Sequence, residues 1–280
     1  MNNYIALARP YQWYKNLVVF IAVFFSGLLF SPEPLILSIL GFISLCLVSS
    51  ANYIINDILD VADDRKHPEK KNRPIASGAI SVTNALLYSA LLLVISLGIG
   101  LLISAYFLIA LVGLFALTLV YSLGLKKEPV LDIIIIGINF VIRAISGAII
   151  IKVAISPWLI VCTFFLPILL ASAKREGEIR LIGKYAKNKN PLRDYIEIAQ
   201  PIKYMSATVL IVAYSLYSFI KHPPLFMTTL PVFVYGVLYF LLITKDKSKI
   251  ARNPHLVFFD SRMLLSGIVM LLLLAGVLYV

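Results

Sequence analysis

Within the stretch NDILDVADDRKHPEKKNRPIASG, residues 56–78, three aspartates carry a spacing that chemistry can use. Asp57, Asp60 and Asp64 stand at i, i+3 and i+7. On a helix that continues past Asn56 they fall one above another on a single face. Carboxylates so placed repel one another unless a cation compensates them. Oxygen ligands with no His or Cys among them suit Mg²⁺, which keeps waters and completes its shell with phosphate oxygens. Asp63 points to another side of the same helix. Five basic residues follow at once, Arg65, Lys66, Lys70, Lys71 and Arg73. A carboxylate-bound metal neutralises bridging phosphate oxygens while Arg and Lys hold the terminal ones, so the mixture reads as a Mg²⁺-diphosphate site at a membrane surface. Two plainer readings stand beside it. The acids could end a helix as a solvated loop, and the bases could serve topology or anionic lipid headgroups.

The elements that must position these residues are apolar. The 280 residues are 60% hydrophobic and 14% charged, with a mean hydropathy of +0.93. That composition places the chain among all-α integral membrane proteins. About nine apolar segments are long enough to cross a hydrocarbon core as helices: 17–31, 35–56, 84–103, 105–123, 130–151, 156–173, 204–220, 224–243 and 262–280. The segment 17–31 follows polar residues and lacks a small-residue cleavage signature, so it does not read as a removable signal peptide. We expect a single polytopic domain over 1–280, with cytoplasmic loops at about 57–82, 124–130, 174–203 and 244–262. Of 25 Lys and Arg residues, 22 fall on that loop face. The asymmetry predicts a cytoplasmic N-terminus and an outside C-terminus in the cell membrane. Thirteen of the 14 acids lie on or near the same face. The positive-inside rule does not require acids, so their gathering there asks for a function.

Other polar residues share that face or lie just beneath it. Arg143 sits deep within LDIIIIGINFVIRAISGA, and a buried Arg in a membrane helix marks a pathway or an anionic ligand. Pairing with Asp132 fails on distance, since eleven residues of helix span ~16 Å; an ion pair to another helix stays open. The segment 156–173 runs without a break into Lys174, Arg175, Glu176 and Glu178, as 35–56 runs into Asp57. Cys46 and Cys162 lie in separate apolar segments and read as lipid- or core-facing small hydrophobes rather than ligands or a disulfide. No His-based metal site and no glycine-rich phosphate loop is visible, and nothing points to nucleic acid.

At these residues the chain resembles a known family. NDILDVADDR is similar to the first aspartate-rich motif, NDxxDxxxD, of the UbiA superfamily of membrane prenyltransferases. Its members are nine-helix bundles with a cytoplasmic-side active site that opens laterally to lipid. RPYQWYKN, the full NDxxDxxxDRxHPxKxxRPIASG, YSLGLK, VIRAISGA and SAKREGE together resemble its decaprenyl-phosphate phosphoribosyltransferase branch. The resemblance implies transfer of 5-phosphoribose from phosphoribosyl pyrophosphate to a polyprenyl phosphate. It makes Asp57, Asp60 and Asp64 the Mg²⁺ ligands, with Asn56 beside them. Arg65, Lys71 and Arg73 then lie near the leaving diphosphate, and Arg143, Lys174 and Arg175 hold the 5-phosphate or the acceptor phosphate. Lys15, Tyr121, Lys126, Glu178 and Arg262 complete the expected substrate-binding set. Typical prenyltransferases carry a second acidic motif where this chain has Lys174, Arg175 and Glu178, which suits a donor with an extra phosphate. Two alternatives are a relative moving a prenyl group from prenyl diphosphate to an aromatic or glycerophosphate acceptor, and a membrane transporter.

Overall fold

The computed structural model describes residues 3–128, 130–182, 196–221, 225–246, 250 and 254–279. Parts of the expected loops 174–203 and 244–262 therefore lie outside the described residues. Two compact units are distinguished, Met1–Ile135 with Asn139–Ile155, and Ile136–Ile138 with Ser156–Val280. Among the described residues, eight helices are long and apolar enough to cross a membrane.

In the first unit, α1 (Asn3–Ala8) leads into a 3₁₀ segment, Pro10–Val19, and then α2 (Phe20–Phe25). The long helix α3 (Pro32–Leu59) is followed by the short α4 (Val61–Lys66). Then come α5 (Val82–Ile103), α6 (Ala105–Leu123) and α7 (Leu131–Ile151). Between α5 and α6 a single extended residue, Ser104, makes the break, and its hydroxyl accepts the Phe107 N–H at 3.1 Å. Small residues bring α3 and α5 together. Ser44 Oγ donates to the Ser96 carbonyl at 2.9 Å, Ser96 Oγ returns the bond to Ser44 at 2.8 Å, and Ser89 Oγ donates to Ala51 at 3.1 Å. This seam fixes α3, and with it the acidic end of α3.

The expected segment 17–31 takes a different form. Residues 10–19 wind as a 3₁₀ helix, α2 ends at Phe25, and Gly27 has a φ of 75°. In a 3₁₀ helix side chains at i and i+3 eclipse. Trp13, Asn16 and Val19 therefore form one row, and each has a partner waiting on α3 or α7. A hydropathy window registers the apolar content here but not this change of period.

The second unit contains α8 (Pro157–Ile182), α9 (Ile196–Lys221), α10 (Leu230–Asp246) and α11 (Ser261–Tyr279). Leu169, Leu210, Val237, Phe240 and Ile243 build its core. On α11, Leu264, Leu265, Ile268, Leu271 and Leu272 are exposed, an apolar face suited to lipid rather than water.

Candidate active site

The polar end of α3 is where chemistry-bearing residues gather in the first unit. Asn56 and Asp57 occupy its last turn, and the helix stops at Leu59. Asp60 has φ −92° and ψ 2°, after which α4 begins. The uninterrupted helix expected through Asp64 is thus broken at Asp60, so the three carboxylates do not form a straight stack. Asp57 and Asp64 still converge: Arg73 Nη1 lies 3.0 Å from Asp57 Oδ1 and 2.6 Å from Asp64 Oδ2. Arg9 Nη2 bonds the same Asp57 oxygen. Asp60 turns aside to Lys126 Nζ at 2.6 Å and to the Asn56 amide at 3.0 Å. Lys126 also donates to Asn56 Oδ1 at 3.3 Å. Asp57 and Asp64 are 2% and 3% exposed, Asp60 28%.

Local sequence explains how Arg73 gets there. As a residue before proline it is held extended, at φ −62° and ψ 146°. Pro74-Ile75-Ala76-Ser77-Gly78 then folds back through bonds from Ser77 N to Arg73 O and from Ile80 N to Pro74 O. Gly78 supplies the required φ of 81°. Ile75 and Ile80 anchor this turn among Ala51, Ile54 and Ala85. Arg65 is exposed and donates from Nε to the Ala76 carbonyl at 3.3 Å, stapling the turn. Lys71 is exposed.

A second concentration of positive charge surrounds Arg143, which is 7% exposed. Its Nε donates to Asn16 Oδ1 at 2.8 Å, Nη1 to the Asn139 carbonyl at 2.9 Å, and Nη2 to Ser49 Oγ at 3.5 Å. Phe140 lies under the guanidinium at 5.6 Å. These partners are all neutral; no ion pair of Arg143 occurs among the described residues. Asn16 is held in turn by Cys46 Sγ at 3.3 Å and Ser49. One turn earlier Trp13 Nε1 donates to Ser50 Oγ at 3.0 Å, and Ser50 bonds the Ala8 carbonyl. Arg9, at φ 51°, lays its guanidinium over the Tyr53 ring at 5.4 Å. For a non-glycine residue that backbone conformation is costly, and such cost concentrates at functional sites.

Lys15 lies in the same region. Burial of its ammonium lowers its pKa from 10.5 to about 8, with Arg143 and then Arg9 adding repulsion. The unfolded chain holds the Lys15 proton more tightly, so stability is expected to rise with pH between those two values. Thermal melts in detergent across that window should show the rise in wild type and a smaller one in Lys15→Met. A bound anion would favour the charged form and raise the lower edge of this window toward 10.5, so the rise would shrink.

In the second unit the contacts bring Lys174, Arg175 and Glu178 together near the end of α8. Glu178 accepts from Arg175 at 3.2 Å and sits 3.9 Å from Lys174. Arg262 contacts a different group, its guanidinium 5.9 Å from the Tyr239 ring. Glu176 and Lys203 form a 2.5 Å ion pair, with Lys203 only 1% exposed. Breaking a buried pair on one side strands the other charge, so Lys203→Met is expected to cost ~3–5 kcal/mol. Combining it with Glu176→Gln should recover most of that in melts of the double variant.

The profile of the UbiA prenyltransferase family matches residues 16–268. The chain belongs to the UbiA family. Among its relatives is the decaprenyl-phosphate phosphoribosyltransferase of Mycolicibacterium smegmatis, 34% identical over 78% of this chain and 71% of that protein. The protein of that name from Mycobacterium tuberculosis is 30% identical over 75% and 72%. A solved UbiA homologue from Archaeoglobus fulgidus, bound to GPP and Mg²⁺, superposes over both full chains with a TM-score of 0.74 at 23% identity. That last likeness speaks to the fold.

Against this UbiA fold the expected site residues sort clearly. Asn56, Asp57, Asp60, Asp64, Arg73 and Lys126 form one bonded cluster. Lys15 and Arg143 accompany each other in the second concentration of charge. Tyr121 is half-buried on the last turn of α6. Arg9, Asn16 and Ser49 were not among the expected binding residues although two of them lie within RPYQWYKN. For Asn16 a signal was available, since Trp13, Asn16 and Val19 repeat every third residue after Pro10; Arg9 and Ser49 gain their side-chain contacts only from residues far away in the chain. As for Mg²⁺, no group of three ligating side chains converges among the described residues. Asp57 and Asp64 nevertheless meet at one point, occupied by Arg73 Nη1, and the donor set is all oxygen. The residues fit a hard divalent cation there once Arg73 gives way.

Proposed function

We propose that this UbiA-family protein transfers 5-phosphoribose from phosphoribosyl pyrophosphate to a polyprenyl phosphate in a Mg²⁺-dependent reaction. The observation that carries the reading is the pair of cationic centres in the first unit. One meets carboxylates at Asp57, Asp60 and Asp64, and the other surrounds a buried Arg143 whose bonding partners are neutral. Transfer between two phosphorylated substrates needs more than one place for anions, and the phosphoribosyltransferase relatives act on such substrates by name.

Mg²⁺ held by Asp57, Asp60 and Asp64 would stabilise charge on the leaving diphosphate. Arg73, Lys126, Arg65 and Lys71 bind its outer oxygens. The bond from the anomeric carbon to diphosphate breaks with its electron pair on the departing oxygen. An oxygen of the acceptor phosphate forms the new bond at the opposite face, inverting that carbon through an oxocarbenium-like state. That phosphate is already an anion at neutral pH, so no general base takes a proton. Arg143 and Lys15 hold a phosphate, of the acceptor or at the donor 5-position. Lys174, Arg175, Glu178, Tyr121 and Arg262 are the further substrate-binding residues. The chain sits in the cell membrane with its N-terminus and the active site on the cytoplasmic side and its C-terminus outside, in keeping with its distribution of Lys and Arg.

The test is incubation of detergent-purified protein with a polyprenyl phosphate, Mg²⁺ and labelled phosphoribosyl pyrophosphate, followed by extraction into organic solvent. Label should enter the lipid phase and stop doing so on chelation. Transfer of label from a prenyl diphosphate to a polar acceptor, with none from phosphoribosyl pyrophosphate, would return the protein to the prenyltransferases of the family.

A further inference from the structure

We infer that Arg73 and Lys126 compete with metal for the carboxylates: their ion pairs with Asp57, Asp64 and Asp60 make metal binding conditional on diphosphate. The inference rests on the reading of Asp57, Asp60 and Asp64 as metal ligands. A single nitrogen, Arg73 Nη1, contacts both Asp57 and Asp64 at 3.0 and 2.6 Å. A divalent ion held by Asp57 and Asp64 would compete with Arg73 for the same carboxylates. Lys126 Nζ does the same for Asp60 at 2.6 Å. With Arg9 on Asp57, three carboxylates face three bases and their charges cancel.

Bare Mg²⁺ entering this cluster would replace two monocations at the aspartates, and the Arg73 guanidinium and Lys126 ammonium, tethered close by, would be left with no counter-charge. Diphosphate removes that obstacle. It brings negative charge with the metal, and it gives the displaced guanidinium and ammonium phosphate oxygens to bind in place of the carboxylates. Only side chains need to move. The Arg73 backbone is fixed by Pro74 and the buried Ile75, while its side chain is 26% exposed. After transfer, return of Arg73 and Lys126 to the aspartates would favour release of product diphosphate together with any metal the aspartates held. Arg73 is thus a specificity-determining residue as well as a binding one: it makes metal binding conditional on a diphosphate.

Mn²⁺ binding, followed by electron paramagnetic resonance on the detergent-purified protein with and without inorganic diphosphate, tests this without any turnover. Wild type should bind Mn²⁺ weakly alone and about 10–100-fold more tightly with diphosphate, and diphosphate affinity should gain the same factor from Mn²⁺. Arg73→Gln should bind Mn²⁺ alone at least about tenfold more tightly than wild type and show a smaller diphosphate effect. Lys126→Gln should shift in the same direction, and answers the question where Arg73→Gln does not yield folded protein. If wild type binds Mn²⁺ alone as tightly as these variants and Asp57→Asn abolishes that binding, the metal site stands and the exchange falls. If no Mn²⁺ binds wild type in either condition, both fall.

Discussion

Arg143→Met is expected to leave the protein folded, with a thermal midpoint at or above that of wild type, while phosphoribosyl transfer falls by about 100-fold or more. The two halves of this result have separate physical origins. A guanidinium 7% exposed and bonded to Asn16, Ser49 and the Asn139 carbonyl keeps its hydrogen bonds but gains no opposite charge. Placing such a cation inside a membrane protein costs free energy, and an apolar residue of similar length relieves that cost. The groups left behind are not all stranded, because Asn16 Oδ1 still accepts from Ser49 Oγ at 3.4 Å. If Arg143 exists to meet a phosphate, the chain tolerates this local loss for the sake of the reaction. Melts in detergent and the labelled transfer assay, run on the same preparation, check both halves. Arg143→Lys keeps the charge without the planar fork and should fall between the two. A midpoint that drops in step with activity for both variants would make Arg143 a structural residue and sink the argument.

How far the sequence alone reaches depends on whether a feature is local. The apolar spans α3, α5, α6 and α7 were legible because each is a continuous apolar run, bounded by charged sequence or, between α5 and α6, by Ser104. The pairing of Asp57 with Asp64 was legible in part, since seven residues of near-helical chain bring them together. The break at Asp60 was not, because it shows as a backbone conformation and no proline or glycine marks it. Arg9 was passed over as a binding residue, since its value comes from reaching Asp57 across 48 positions. The Glu176–Lys203 pair has the same character: each residue alone resembles any other charge near the end of a membrane helix. The 3₁₀ segment failed differently. Its apolar content is genuine, but its period of three is hidden within a window tuned to 3.6.

That period matters most at Gly147. On α7, Gly147 lies four residues beyond Arg143 and so on the same face; on the 3₁₀ segment, Val19 lies three beyond Asn16 and so in the same row. Asn16 docks on Arg143, and Val19 docks on Gly147. A Cβ built at Gly147 would run into the Val19 carbonyl oxygen, with the carbonyl carbon at 3.0 Å and Cα at 3.3 Å. These are backbone atoms with no rotamer to escape into. Gly147→Ala is therefore expected to destabilise the protein by ~3 kcal/mol, at the upper end for overpacking, and to push the 3₁₀ segment off α7. Asn16 would move with it, so protein that still folds should lose about 100-fold in transfer, as a displacement of ~1 Å at a reacting centre can cause. Gly113→Ala, where nothing lies within 4 Å of the new methyl, should instead stabilise α6 by ~0.5–1 kcal/mol. The contrast distinguishes a steric fault from any general intolerance of helical glycines to substitution. A Gly147→Ala protein with wild-type melting and transfer would show that the segment carrying Lys15 and Asn16 is not held against α7 by this contact.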